Sequence, residues 1–164
     1  LVPLTTLHAD PVKNAIALFV TELLSHVIVE QERNAPLFSF ISSSVQLLDK
    51  LDRGVANFHI CFLYNLGVFL GIEPDTETYR EGYCFDMLDG VFRPSQPLHP
   101  HFVESGESAV LVKIARMNYA NMHLFRFNRQ QRSRLLALML DYYRLHSSTL
   151  GTLRSPEILS ALFE

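Results

Sequence analysis

The chain has 164 residues, of which 48% are hydrophobic and 19% charged, so it can form one globular domain with a buried core. No apolar run reaches the length of about eighteen residues that a membrane-spanning helix needs. Two cysteines are too few for a disulfide framework, which favours reduced thiols in a cytosolic protein.

The first residues, LVPLTTLHADPVKN, contain neither an initiator methionine nor the basic and apolar segments of a secretory signal. We expect residues 1–9 to be a linker that follows an upstream part of a longer protein. The folded domain is expected to begin at residue 10.

Three helices are predicted in the first half of the chain. Asp10 followed by Pro11 is typical of a helix N-terminus, because aspartate caps free N–H groups and proline fits the first turn. Apolar residues then recur at steps of three and four, which predicts a helix to about residue 31. A second helix is predicted after Asn34. The third, from Gly54 to Gly71, is apolar nearly all round and is therefore expected at the centre of the domain.

Residues 73–106 lose the helical periodicity and contain several prolines. Within them, Asp89 and Gly90 separate two apolar runs, a pattern typical of a type I′ hairpin turn. We predict a two-stranded ribbon at about 83–88 and 91–93. Because a lone hairpin is marginal in water, it must pack on the domain through its apolar residues, which are Tyr83, Phe85, Val91 and Phe92.

Helical periodicity returns at Glu107. Asn128 and Gln131 then form a capping-box pattern at the start of a long helix, RQQRSRLLALMLDYYRLH. Ser155 followed by Pro156 is predicted to cap a short final helix, EILSALF. Together these elements predict a mainly all-α fold, a compact bundle of about six helices with a small β-hairpin insert near residues 83–93.

Basic residues are concentrated in one part of this acidic chain, which has 14 Lys and Arg against 17 Asp and Glu. No acid lies between Glu107 and Asp141, whereas that stretch contains Lys113, Arg116, Arg126, Arg129, Arg132 and Arg134. Arginines near a helix N-terminus oppose the helix dipole, and guanidinium groups bind phosphate or carboxylate well. We predict that this basic window, residues 113–134, binds an anion. An ordinary solvated helix face is the alternative.

Aromatic and apolar residues accompany the basic window. Tyr119, Phe125 and Phe127 are suited to stacking on the bases of single-stranded nucleic acid. A groove for an acidic-hydrophobic peptide is also predicted beside the arginines. Its candidate residues are Leu135, Leu138, Met139 and Tyr142. Core packing produces the same periodicity, so both interpretations stay open.

Other chemistries have less support. Cys84, His99 and His101 are metal-ligand types, but they lack the four paired ligands of a structural zinc site. The sequence has no nucleophile motif and no phosphate-binding glycine loop, and His59 is more typical of a core histidine. We therefore predict no catalytic residue, no metal and no cofactor.

The order of segments resembles the C-terminal domain of the bacterial DNA repair and recombination family RecO. The resemblance covers residues from about Asp10 to Phe163 and rests on DPVKNAIALFVTELL, NFHICFLYNLGVFLGIEP, YCFDMLDGVF, MHLFRFNRQQRSRLLALMLDYYRLH and LRSPEILSALF. It implies a helical C-terminal domain at 10–164, with 1–9 as the linker from an N-terminal OB-fold.

The resemblance also implies a function. RecO-like proteins are non-enzymatic recombination mediators of the RecF pathway that help to load RecA. The implied partners are RecR, single-stranded DNA and the acidic C-terminal tail of single-stranded DNA-binding protein (SSB), in the cytoplasm and without a membrane. Many members carry two C-x₂-C pairs near the ribbon, where this chain has ETYREG and RPSQP, so no zinc site is carried over.

Two other classes of function remain as alternatives. One is a helical ligand-sensing or dimerisation domain of a regulator, in which the apolar helix at 55–70 lines a pocket or an interface. A hydrophobic cavity of several hundred Å³ would favour it. The other is an enzyme that uses Cys84 with His99 or His101.

Overall fold

The computed structural model describes residues 4–28 and 34–162. In these ranges the α-helices are α1 Pro11–Val27, α2 Ala35–Lys50, α3 Phe58–Leu70, α4 Ser105–Ala115, α5 Arg129–His146 and α6 Ser155–Leu162. Three short strands, β1 Cys84–Asp86, β2 Val91–Arg93 and β3 Phe102–Val103, form an antiparallel sheet in the order β2–β1–β3. The predicted helical bundle with a small β insert is confirmed.

The first two helices begin where the sequence predicts. The Asp10 carboxylate accepts hydrogen bonds from the N–H groups of Val12 and Lys13, and the Asn34 side chain accepts one from Leu37. The predicted end of α1 near residue 31 is wrong, because the helix ends at Val27. Val27 opens a run of three β-branched residues, VIV, which lose side-chain freedom in a helix and disfavour its extension.

Helix α3 forms the centre of the core, as its all-apolar sequence predicts. Phe58, Phe62 and Leu63 are almost completely buried, and α1, α2, α4 and α5 all pack against the helix. Gly71 adopts the left-handed conformation, with φ of 69°, at its C-terminus. The N–H of Ile72 then bonds to the carbonyl of Gly67 at 3.0 Å, which ends the helix in a Schellman motif.

Helices α3 and α5 approach closely at Gly67. The Tyr143 hydroxyl of α5 donates a 2.6 Å hydrogen bond to the carbonyl of Leu63. It also lies 3.3 Å from the position that a Cβ atom at residue 67 would occupy. The absence of a side chain at residue 67 leaves room for the buried hydroxyl to be satisfied in this way.

Part of the expected linker packs on the helical domain. Asp49, in the last turn of α2, accepts hydrogen bonds from the N–H groups of Thr5, Thr6 and Leu7 at 3.0, 2.8 and 2.8 Å. The bond from Thr5 is the largest of the effects that lower the pKa of Asp49 to about 2. Residues 5–7 are therefore attached to α2 by a carboxylate that is charged at neutral pH.

The insert differs from the predicted ribbon in two respects. Strand β1 pairs with β3 as well as with β2, so the sheet has three strands. The two-residue type I′ turn is wrong: residues 87–90 form a four-residue loop, and only Gly90 in it has a positive φ, of 70°. A type I′ turn needs a positive φ at two successive residues, which Asp89 does not supply.

Asp86 organises this loop. Its buried carboxylate accepts hydrogen bonds from the N–H groups of Leu88 and Asp89 at 3.0 and 3.1 Å. It also binds Arg93 Nε at 2.9 Å and lies 3.2 Å from His99 Nε2. Phe85 and Phe92 form the apolar contact of the sheet with the core, as predicted, whereas Tyr83 and Val91 are half-buried.

The predicted cap of α5 is present, whereas the prediction that Ser155 caps the final helix is wrong, because Ser155 is the first residue of α6 and its hydroxyl donates to Glu22. Asn128 and Gln131 form the reciprocal capping box of α5, each side chain bonding to the other residue's N–H at 2.8 Å. Helix α6 is capped from outside, because the Glu22 carboxylate of α1 accepts hydrogen bonds from the N–H groups of Arg154 and Ser155 at 2.9 Å. This contact ties α6 to α1.

Candidate anion-binding groove

An open groove of about 730 Å³ lies between α4 and α5. Val110, Leu135 and Leu138 give it apolar walls, and Gln130 and Gln131 add amide groups at the start of α5. Two cations line it, Lys113 in the last turn of α4 and Arg134 in the second turn of α5. We call it the α4–α5 groove.

Arg134 is engaged by a carboxylate of the protein. Its Nη2 lies 3.0 Å from Oε2 of Glu107, and the two side chains remain 66% and 49% exposed. The hydrogen bond to Glu107 raises the pKa of Arg134 above its ordinary value. Glu107 also lines the groove, so the site holds one acid beside its two cations.

The structure does not gather all six residues of the basic window at this groove. Arg116 directly follows the end of α4, and Arg126 lies in the segment before α5. Arg129 is the first residue of α5. All three are exposed. Arg132, in contrast, is half-buried, and its Nη1 donates to the carbonyl of Phe127. Burial lowers the pKa of Arg132. We expect Arg132 to stabilise the segment before α5 through its bond to Phe127.

Arg132 also influences a core histidine. Burial, and then the positive charge of Arg132, lower the pKa of His59 to about 3. His59 is 2% exposed and forms an edge contact with Phe19. It is therefore neutral at physiological pH and lies inside the core, as the sequence indicates.

The residues predicted as a partner groove are mostly covered. Leu135, Leu138, Met139 and Tyr142 are between 3% and 8% exposed and belong to the core. Leu135 and Leu138 contribute to the wall of the α4–α5 groove. Met139 and Tyr142 instead line a small cavity next to α3.

That small cavity bears on the ligand-sensing alternative. Leu63, Tyr64 and Gly67 of α3 form one side of it, and its free volume is about 20 Å³. This volume is room for about one water molecule, whereas sites for small organic ligands occupy about 300–1,000 Å³. The cavity does not support a ligand pocket along α3.

Sequence reasoning missed the contribution of α4. Gly106, Ala109, Val110 and Lys113 follow each other at helical spacing, and all of them line the groove with Glu107. The spacing places them on one face of a helix. This face could have been found from the sequence, but only the structure shows that it faces α5.

A second groove, of about 510 Å³, continues along α5 toward the sheet. It lies between the C-terminal half of α5 and strand β3, and its wall includes Phe102, Glu104 and Arg144. Glu107, Arg134 and Leu138 line both grooves. The Arg134–Glu107 ion pair therefore stands where the two grooves meet.

The residues weighed as metal ligands have other contacts. Cys84 Sγ lies 3.4 Å from the Arg93 carbonyl and 3.0 Å from that of Ser95, and His99 faces Asp86. No group of three or more His, Cys, Asp or Glu residues able to hold a metal occurs within residues 4–28 and 34–162. None of the helices in these ranges is long and apolar enough to cross a membrane.

Comparison with known proteins identifies the family. The chain matches the family described as recombination protein O C terminal over residues 8–154. It is 44% identical over 161 residues to the DNA repair protein RecO of Phocaeicola vulgatus, an alignment that covers 98% of this chain and 67% of that protein.

Two further relatives bear the same name. The Bacteroides fragilis protein is 42% identical over 163 residues, an alignment that covers 99% of this chain and 67% of that protein. The Porphyromonas gingivalis protein is 36% identical over 160 residues, which cover 96% of this chain and 65% of that protein. No solved structure matches the chain. The match over nearly its whole length shows that the chain belongs to the RecO C-terminal domain family.

Proposed function

We propose that this chain is the helical domain of a DNA repair and recombination mediator that acts by binding its partners, without catalysis. Its relatives support the repair role, because they are named DNA repair protein RecO. Two side chains that could react, those of Cys61 and His59, are buried, which supports a non-catalytic role. Burial raises the pKa of the Cys61 thiol to about 12, so it stays protonated, and His59 is enclosed in the core.

Within this role, the α4–α5 groove receives the acidic C-terminal tail of SSB. The observation that carries the proposal is the pairing of Lys113 and Arg134 with an apolar wall in one open groove. Cations bind the carboxylates of such a tail, while Val110, Leu135 and Leu138 accept its apolar residues. DNA phosphates would use the cations but not the apolar wall, so the groove fits a peptide better than a nucleic acid.

Single-stranded DNA binds a different part of the basic window, which contains Arg116, Arg126 and Arg129. All three arginines are exposed to solvent, and Leu124 near them in sequence is 68% exposed. Accessible guanidinium groups give the phosphate contacts, and the exposed Leu124 adds an apolar contact for the nucleotides. Contact with RecR is part of the proposed role, and we assign no residues to it.

The tail-binding proposal is tested by titrating the chain with a labelled peptide of the SSB C-terminal tail. Replacing Lys113 and Arg134 together by alanine should weaken binding about 10- to 30-fold, since each charge-assisted hydrogen bond removed at an exposed site is worth about 1 kcal/mol. The matched control is Arg53→Ala, an exposed arginine outside the window. Equal affinity in the double variant and the control would contradict the proposal.

The DNA-binding proposal is tested by the salt dependence of affinity for single-stranded DNA. Replacing Arg116, Arg126 and Arg129 by glutamine should reduce the slope of log K against log salt by about 0.7 for each phosphate that is no longer neutralised. Arg53→Gln is the control for a single change in charge outside the window. An unchanged slope in the triple variant, with the fold intact, would refute the assignment.

A further inference from the structure

Glu107 forms an ion pair with Arg134, one of the two cations that the proposed tail would bind. It lies in the first turn of α4, and its Oε2 is 3.0 Å from Nη2 of Arg134, which belongs to α5. The basic window that follows it contains no acid until Asp141. Glu107 lies just before the basic window and lines the α4–α5 groove, where it binds Arg134, one of the two cations.

The ion pair is easily exchanged. Both side chains are largely exposed, at 66% and 49%, so water screens the attraction between them. Glu107 has a second source of stabilisation, because a negative charge in the first turn of a helix interacts favourably with the helix dipole. Glu107 can therefore release Arg134 without leaving a buried charge behind.

The surroundings of Arg134 indicate what can replace Glu107. The groove offers Lys113 and an apolar wall in addition to the guanidinium group. A carboxylate that belongs to an apolar peptide gains all three contacts, whereas Glu107 gains only the ion pair. A peptide without a carboxylate cannot compensate Arg134 for the loss of Glu107.

We propose that Glu107 is an internal competitor for the ligand of the α4–α5 groove: its carboxylate holds Arg134 until an acidic peptide displaces it, and it thereby sets the affinity and the requirement for a ligand carboxylate. This proposal rests on the proposed tail-binding function. It makes Glu107 a specificity-determining residue that opposes binding, although it lies within the binding site.

The test is a double-mutant cycle on the full chain with the labelled SSB tail peptide. Glu107→Gln keeps the shape of the side chain and frees Arg134, so the peptide should bind about two- to fivefold more tightly, the range that an exposed ion pair allows. In an Arg134→Gln background, the same Glu107→Gln change should leave the affinity for the peptide nearly unaltered, because the guanidinium group for which Glu107 and the peptide compete is absent.

The control separates competition from general electrostatics. Glu104→Gln removes the same charge from a nearby exposed residue whose carboxylate accepts hydrogen bonds from Gln96. It should change affinity by less than Glu107→Gln does. Thermal unfolding of each variant checks that the fold is retained.

The remaining outcomes overturn the idea. No gain in Glu107→Gln, an equal gain in Glu104→Gln, or a gain that persists without Arg134 would each show that Glu107 does not compete. Failure of the wild-type chain to bind the peptide would instead contradict the proposed function itself. The two failures are therefore distinguishable in one set of titrations.

Discussion

Helix α3 and the loop of the β insert are both fixed in place, but by opposite means. Helix α3 buries Phe58, Phe62 and Leu63 almost completely, in an apolar core. The loop at 87–90 depends on one buried carboxylate, Asp86, which serves two N–H groups and two side chains. The contrast arises because a helix satisfies its own backbone, whereas a short loop needs side chains to do so.

The greatest loss of stability is expected in α3. Phe62 is 0% exposed and stacks on Phe40, so Phe62→Ala should lower the free energy of unfolding by about 3–5 kcal/mol, through reduced burial and the cavity left behind. Urea denaturation measures it. Phe38→Ala is the control, because that side chain is 73% exposed and should change stability by less than about 0.5 kcal/mol. Similar losses in both would mean that α3 is not the centre of the core.

The insert should respond less, and in a pH-dependent way. Asp86→Asn removes the charge from a buried, multiply bonded group and should cost about 1–3 kcal/mol at pH 7. Asp89→Asn is the control, since the Asp89 carboxylate also binds Arg93 but is 59% exposed. It should cost less than about 1 kcal/mol. Equal costs for the two variants would contradict the proposed organisation of the loop.

The pH dependence has a definite sign. Burial raises the pKa of Asp86, but hydrogen bonds from Arg93 and from the N–H groups of Asp89 and Leu88 outweigh it and hold the pKa below the ordinary value. The stabilisation is therefore complete above about pH 4, the usual range of an aspartate, and decreases as the pH falls below it. Denaturation at several pH values should show the wild type approaching Asp86→Asn in acid. A constant difference would refute this cause.

A still smaller effect on stability is expected in the α4–α5 groove. Lys113 is exposed, and the ion pair between Arg134 and Glu107 is largely exposed as well. Replacing Lys113 and Arg134 by alanine should change the free energy of unfolding by less than about 1 kcal/mol. Thermal or urea unfolding measures it. A larger loss would show that these cations support the fold, and the effect on peptide binding would then have a structural cause.

The sequence predicts the parts of this fold that depend on local chemistry. Asp10, Asn34, Gly71 and the Asn128–Gln131 box lie where the helices begin or end, because capping involves residues only a few positions apart. The third strand and the role of Asp86 could not be predicted in this way. Both features depend on contacts between β1 and residues more than ten positions later in the chain, namely His99 and residues 102–103.

The candidate groove shows the same limit. The sequence identifies the basic window and the apolar face of α5, but periodicity does not tell which apolar residues a neighbouring helix covers. Met139 and Tyr142 therefore prove to be core residues, and Arg132 turns toward the carbonyl of Phe127. The wall that α4 supplies becomes evident only when the two helices are placed side by side.

The proximity of Gly67 to the Tyr143 hydroxyl has an evolutionary consequence. A methyl group at residue 67 would stand 3.3 Å from that hydroxyl and would press it away from the carbonyl of Leu63. Tyr143→Phe alone would leave the Leu63 carbonyl without this bond. Gly67→Ala combined with Tyr143→Phe would remove the crowding, because the hydroxyl is then absent. We expect the two positions to vary together among homologous sequences, with glycine accompanying tyrosine.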